Sequence, residues 1–148
     1  MMVLQPFAAG HIDFVFECLR ELRGQADYSL AQFEDYVRAH GLFGHADFLI
    51  LVGITGAQPV GMLTCNRFAM PRYLGFGYEL EEVVVHPSFQ GRGHGKELVH
   101  AFLERARSEP EIRKVIVKTD DQLRAGKLYQ RYFSVVATTI YGATVNRI

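Results

Sequence analysis

The chain has 148 residues, enough for one domain that buries a core without disulfide or metal staples. Its 16 basic residues are matched by 16 acidic ones, which argues against broad electrostatic adhesion to nucleic acid or an anionic membrane. Cys18 and Cys65 lie in separate apolar stretches without a C-x-x-C pair, so buried, reduced thiols are expected rather than a disulfide framework.

Met1 to Phe7 lacks the basic-then-apolar pattern of a signal peptide. No run in the chain reaches the roughly 18 apolar residues of a membrane span. A cytoplasmic protein is therefore expected. Val3 to Phe7 reads as an edge strand, because Pro6 cannot donate to a ladder. Ile12, Val15, Phe16, Leu19 and Leu22 recur at helical spacing, with Gly24 as a stop. Ser29 and Gln32 form a capping-box pattern opening a second helix through Ala39, with Leu30, Phe33, Tyr36 and Val37 on one side. Phe48 to Ile54 and Pro59 to Phe68 read as paired strands around a Thr55-Gly56-Ala57-Gln58 turn. Pro71, Gly75 and Gly77 predict an irregular segment from Ala69 to Gly77, followed by a strand from Tyr78 to Val85. Leu98, Val99, Phe102, Leu103 and Ala106 mark a third helix, and Lys114 to Lys118 a strand. Leu123 to Tyr132 is then a helix, and Val135 to Ile140 and Ala143 to Ile148 are closing strands. The order implies a single mixed α/β domain over 1–148, with a largely antiparallel first half joined to βα units.

Between the third long strand and its helix stands Gln90-Gly91-Arg92-Gly93-His94-Gly95. Glycines let a backbone turn tightly and approach a ligand. A helix beginning near Gly93 aims unpaired N–H groups and a positive dipole end at the loop, which makes an anion site; Arg92 and Lys96 add charge. A turn that merely needs glycine is the plain alternative. The spacing does not fit a dinucleotide fingerprint, and G-x-x-x-x-G-K-[ST] is absent.

Gln90-x-x-Gly93-x-Gly95 has the [RQ]-x-x-G-x-[GA] form, follows Val83-Val84-Val85-His86-Pro87, and precedes a distal helix carrying Tyr129. Together these resemble the GNAT (Gcn5-related N-acetyltransferase) superfamily, with an element order that fits over nearly the whole chain. The resemblance implies a mostly antiparallel mixed sheet flanked by about four helices, with a V-shaped opening between its two central strands. It implies acetyl-CoA as co-substrate and no metal. The pyrophosphate would be held by amides from Gly91 through Arg92, Gly93, His94 and Gly95 to Lys96, with Gln90 heading the loop. Pantetheine would lie along Val83, Val84 and Val85, with an amide near Val83 polarising the thioester carbonyl.

An alkylammonium acceptor, with pKa about 10.4, must lose a proton before it attacks. A carboxylate can take it. Alternation puts Glu79 and Glu81 on one face with Val83 and Val85, and Glu82 on the other. The alternative is a solvated strand end, or pairing with arginines such as Arg67 and Arg72. The resemblance implies a base at Glu79 or Glu81 with an adjacent acid at Glu82, and Glu81 is the leading candidate. Ala125-x-x-Leu128-Tyr129 is similar to the family's tyrosine helix, which makes Tyr129 the candidate acid for the leaving thiolate. Two departures stand beside it: Gln122 replaces the usual asparagine, and Tyr132-Phe133-Ser134 replaces Gly-Phe.

The resemblance places the acceptor near the first helices and the loop before the acidic strand, where Tyr28, Phe33, Arg67, Arg72 and Tyr73 are candidates. His86, His94 and His100 lack zinc-ligand company. Three readings remain. The first is an N-acetyltransferase acting on a small-molecule or peptide amine, with no nucleic-acid or membrane partner. The second is a CoA-binding regulatory module without turnover, and the third an interaction domain without a cofactor. The sequence leaves open the acceptor, the acyl length and whether two copies pair as a homodimer.

Overall fold

In the computed structural model, which describes residues 1–22, 27–118 and 125–134, the anticipated hairpin forms β2 (Phe48–Thr55) and β3 (Gln58–Met70). With β1 (Met2–Pro6), β4 (Gly75–Val85) and β5 (Ile112–Val117) they make one sheet in chain order. The first four strands are antiparallel. β4 and β5 run parallel, so their connection must cross the sheet, and α3 (His94–Ser108) makes the crossing. This is the mixed, mostly antiparallel α/β sheet that was expected. The proposed stop at Gly24, the helix start containing Gln122 and Leu123, and the strands expected over 135–140 and 143–148 lie outside the described residues.

α1 (Ile12–Arg20) and α2 (Leu30–Ala39) fall close to their predicted bounds. The capping box closes in both directions: the Gln32 amide donates to Ser29 Oγ at 3.1 Å, and the Ser29 amide donates to Gln32 Oε1 at 2.8 Å. Phe33 and Val37 face the core, but Tyr36 is 55% exposed and packs on His40, so the apolar side of α2 is narrower than its sequence suggested. β4 also begins earlier than predicted. Gly75 and Gly77 pair with Met70 and Phe68, and a Cβ on Gly77 would strike the Phe68 ring, so here glycine permits side-chain packing and does not end the strand.

Strand alternation sorts the side chains into two cores. Ile50, Val52 and Met62 pack with Val15, Phe16 and Val37 beneath α1 and α2. Leu51, Leu63 and Tyr78 pack with Phe102 and Ala106 beneath α3. Leu98 of α3, fully buried, rests over the paired glycines Gly53 and Gly61. A Cβ at Gly61 would lie 2.6 Å from the Val84 carbonyl oxygen and 2.9 Å from Leu98 Cδ1. Since the first of these is backbone, Gly61→Ala should destabilise the fold by about 1–3 kcal/mol. A denaturant midpoint equal to that of the parent would contradict this account of the contact.

Both thiols are buried, Cys18 of α1 in the core shared with α2 and Cys65 in the core beneath α3. Burial pushes each thiol pKa up from 9.0 to about 12. As pH rises, the unfolded chain therefore loses these protons first. Their contribution to stability is intact below pH 9 and declines as pH climbs toward 12. Denaturation midpoints taken at increasing pH should fall above about 9. The Cys18→Ala, Cys65→Ala double variant should show a shallower decline.

Candidate active site

β3 and β4 pair one to one from Gly61 and Val85 to Thr64 and Glu82, then resume at Cys65 and Leu80. Glu81 is thus the extra residue of a β-bulge, which shifts the alternation by one position. Leu80 and Val83, three residues apart, both pack on the α3 side, whereas Val84 joins the core beneath α1. This corrects the facing expected from strict alternation. Glu79 shares a face with Glu82 and Val84, on the side opposite Val83 and Val85.

The bulge gathers the three carboxylates around β3 side chains of the α1 face. Glu82 accepts from the Thr64 hydroxyl, which is buried. Glu81, exposed at the bulge, accepts from Asn66 Nδ2 at 2.9 Å. Glu79 pairs with Lys118 Nζ at 2.5 Å, and hydrogen bonding to Glu79 raises the Lys118 pKa. Three carboxylates against one ammonium leave the cluster anionic. Arg67 and Arg72, the partners considered from sequence, are not involved. Arg67 lies on the α3 side and bonds Glu111 at 3.0 Å, and Arg72 packs over Tyr73.

The same bulge marks where the sheet opens. Parallel pairing of β4 with β5 runs from Phe76 and Ile112 to Leu80 and Val117, and ends there. Beyond it, the outer edge of Glu81 to Val85 pairs with no strand among the described residues. This is the anticipated V-shaped opening, and such an edge is a template for an extended polar ligand. Gln90 Nε2 donates to the Val85 carbonyl at 3.1 Å, fastening the following loop to the end of that edge.

Pro87 begins a single 3-10 turn, and the glycine loop follows. Gly91 and Gly93 take φ of +76° and +85°, left-handed values that disfavour other residues. Gly93 is the N-cap of α3 and offers no side-chain cap, so the first amides of the helix have no intrahelical acceptor. At Gly95 the reason for glycine is different. A Cβ there would make ordinary contacts, 3.8 Å to Val85 Cγ2 and 3.9 Å to Leu128 Cδ2, so the protein itself does not exclude a side chain. Arg92 and Lys96 are exposed; Arg92 packs over Phe89 at 5.7 Å. His94 Nδ1 is buried, 3.7 Å from Glu97 Oε1, and has no hydrogen-bond partner among the described residues. His86, at the end of β4, accepts from the Ser88 amide through Nδ1, so its Nε2 carries the proton donated to Glu17 of α1 at 2.7 Å.

Tyr129 closes α4 (Ala125–Tyr129) and packs against the core of Leu63, Tyr78 and Leu80. Burial raises its pKa, which keeps the phenol protonated. The divergent Tyr132-Phe133-Ser134 stretch is a turn: the amides of Tyr132 and Phe133 donate to the Tyr129 carbonyl, and the Phe133 ring stands edge-on to Tyr129.

The five acceptor candidates do not converge. Phe33 is 6% exposed and belongs to the core, with Tyr28 packed on it. Arg67 lines the opposite face of the sheet, and Arg72 and Tyr73 form an exposed turn after β3. What sequence reading missed is the ring around the carboxylates: Thr64, Asn66 and Lys118. Polar residues at alternate positions of an otherwise apolar β3 were the available signal. Among the described residues no cluster of metal-ligating side chains occurs, and no helix is long and apolar enough to cross a membrane.

Comparison with known proteins sets this geometry in context. The model of the acetyltransferase (GNAT) family matches residues 12–134. No curated protein matches the chain in sequence. Among solved structures, a possible acetyltransferase from Clostridium difficile superposes with a TM-score of 0.81 at 12% identity, with 99% of both chains covered. A transcriptional regulator from Bacillus halodurans gives 0.78 at 20% identity, over 97% of this chain and all of the other. An aminoglycoside acetyltransferase from an uncultured soil metagenomic sample, solved in complex with sisomicin, gives 0.67 at 16% identity, over 97% of each chain. At these identities the structural likenesses establish the fold.

Proposed function

The chain belongs to the acetyltransferase (GNAT) family, and on that premise we propose that it transfers the acetyl group of acetyl-CoA directly to a primary amine of a small molecule or peptide. The observation that carries this reading is the edge of β4 from Glu81 to Val85, which pairs with no strand among the described residues, begins at the bulge and leads into the start of α3. Such an edge suits an amide-bearing pantetheine arm. The helix terminus at its end suits a pyrophosphate.

Acetyl-CoA supplies the acyl group and a thiolate leaving group; the chain supplies placement and proton handling. Amides from Gly91 to Lys96 hold the phosphates, with Gly95 leaving room for close approach and His94 offering a further polar atom. Val83, Val84 and Val85 present the strand edge, and the Val83 amide stabilises negative charge developing on the thioester oxygen. The anionic cluster attracts an alkylammonium, and Glu81 takes its proton. Glu82, held on Thr64, is the neighbouring acid. Glu79 is matched by Lys118, so its charge is already answered, and it serves in attraction more than as base. Tyr129, protonated and packed beside Leu80, returns a proton to the thiolate. A small cationic acceptor such as an amino sugar fits this charge pattern, and the relative solved with sisomicin is a precedent in the same fold.

Calorimetric titration with acetyl-CoA tests the donor assignment first, and absence of binding at millimolar ligand would reject it. With an amine found by thiol-release screening, Glu81→Gln should lower kcat about a hundredfold or more while leaving acetyl-CoA affinity nearly unchanged. Equal losses in turnover and affinity would remove Glu81 as the base. Tyr129→Phe should slow single-turnover acyl transfer, and an unaltered single-turnover rate would exclude the phenol. Binding without thiol release to any amine would identify the chain as a CoA-binding module.

A further inference from the structure

The α3 side of the sheet, opposite Glu79 and Glu82, holds a separate cavity of about 470 Å³. Pro6, Leu49 and Leu51 give it an apolar lining, and its polar wall combines Arg67, Arg105 and His45 with Tyr78 and the carboxylates Glu109 and Glu111. This is a volume suited to a small molecule.

The polar groups of the wall hold one another in place. Tyr78, 2% exposed, donates its hydroxyl to Glu109 Oε2 at 2.5 Å, and the other Glu109 oxygen accepts from Arg105 Nε at 3.2 Å. Both Nη groups of Arg105 are left without a hydrogen-bond partner among the described residues. Arg67 lies flat over Phe76, its Cζ 3.4 Å from the ring centroid, and spends Nη2 on Glu111. Its Nη1 stands 3.9 Å from Asp47, beyond hydrogen-bond reach. His45 Nδ1 accepts from the amides of Asp47 and Phe48, which leaves the proton on Nε2 as a donor.

Glu109 and Glu111 are thus each engaged by an arginine, and the hydrogen-bonding capacity left over on this wall is rich in donors. A ligand that satisfies it needs an anionic or strongly accepting head, and the lining asks for a short apolar body. We propose that this cavity binds a small monocarboxylate with an aliphatic or aromatic tail, its head on Arg105 and His45 and its tail on Leu49 and Leu51. Charge-assisted, forked bonds to a fixed guanidinium favour a carboxylate over a neutral alcohol of the same shape. None of the residues lining the cavity is among those assigned to acetyl-CoA, so its occupant and acetyl-CoA bind together.

The test is a titration of the isotopically labelled full chain with sodium hexanoate and sodium benzoate, followed by amide chemical shifts, with hexanol as the uncharged control. Millimolar carboxylate should shift the amides of Leu49, Leu51, Tyr78 and Arg105 saturably, and hexanol should not. Arg105→Met should weaken the carboxylate by about tenfold. Ala46→Trp, which fills the exposed rim without touching an ion pair, should abolish binding, and it decides the matter if the Arg105 variant fails to fold. Saturating acetyl-CoA should leave the titration unchanged. Lack of saturable shifts at these amides, an equal response to hexanol, unaltered affinity in Ala46→Trp, or displacement by acetyl-CoA would overturn the proposal. None of these outcomes depends on whether an amine is acetylated, so the two readings fail separately.

Discussion

One extra residue in β4 organises the molecule. Glu81 bulges out of an otherwise regular antiparallel pairing, and three consequences follow from that single irregularity. The strand changes phase, so Glu79 and Glu82 come to the same face. The parallel partner β5 stops at the same level, opening the sheet. Beyond the bulge, Val83 and Val85 return to the α3 side, which lets the end of β4 pack under the helix that carries the glycine loop. A bulge gives up ladder regularity locally and re-aims the strand. In this chain the freed edge and the gathered carboxylates lie next to each other.

Much of this could be read from the residues. The α3 stripe of Leu98, Val99, Phe102, Leu103 and Ala106 is wholly buried, and the Ser29–Gln32 box closes as its letters suggest. Such features are legible because they are local, each depending on spacing within a turn or two of helix. The left-handed angles at Gly91 and Gly93 belong to the same class. The bulge does not. Nothing in Glu79 to Val85 announces an extra residue, because the irregularity exists only relative to β3. A facing carried across the bulge is then reversed, as that of Glu79 is, while Val83, Val85 and Glu82, all on one side of it, keep their expected relation. Gly75 and Gly77 misled for a related reason: they read as breakers when taken alone, and as close packing once Phe68 and Glu111 are beside them. The acceptor candidates are dispersed, since Phe33 is needed for the core and carries Tyr28 against it, while Arg67 stands on the α3 face.

The two faces of the sheet have distinct electrostatic characters. On the α1 side, carboxylates outnumber their single ammonium partner and face solvent at the bulge. On the α3 side, Glu109 and Glu111 are each engaged by an arginine, and Tyr78 is locked to Glu109. Their separation rests on β4, whose alternate residues serve one face and then the other.

The height of α3 above the sheet is set from an unexpected quarter. Leu98 settles onto bare backbone at Gly53 and Gly61, residues of the β2–β3 hairpin rather than of the glycine loop. Leu98 stands one helical turn from His94, so the level at which it rests is also the level at which the loop amides meet the opening. The hairpin is therefore a gauge block for the glycine loop. Its two missing side chains determine how far the glycine-rich start of the helix stands from the strand edge that is unpaired among the described residues.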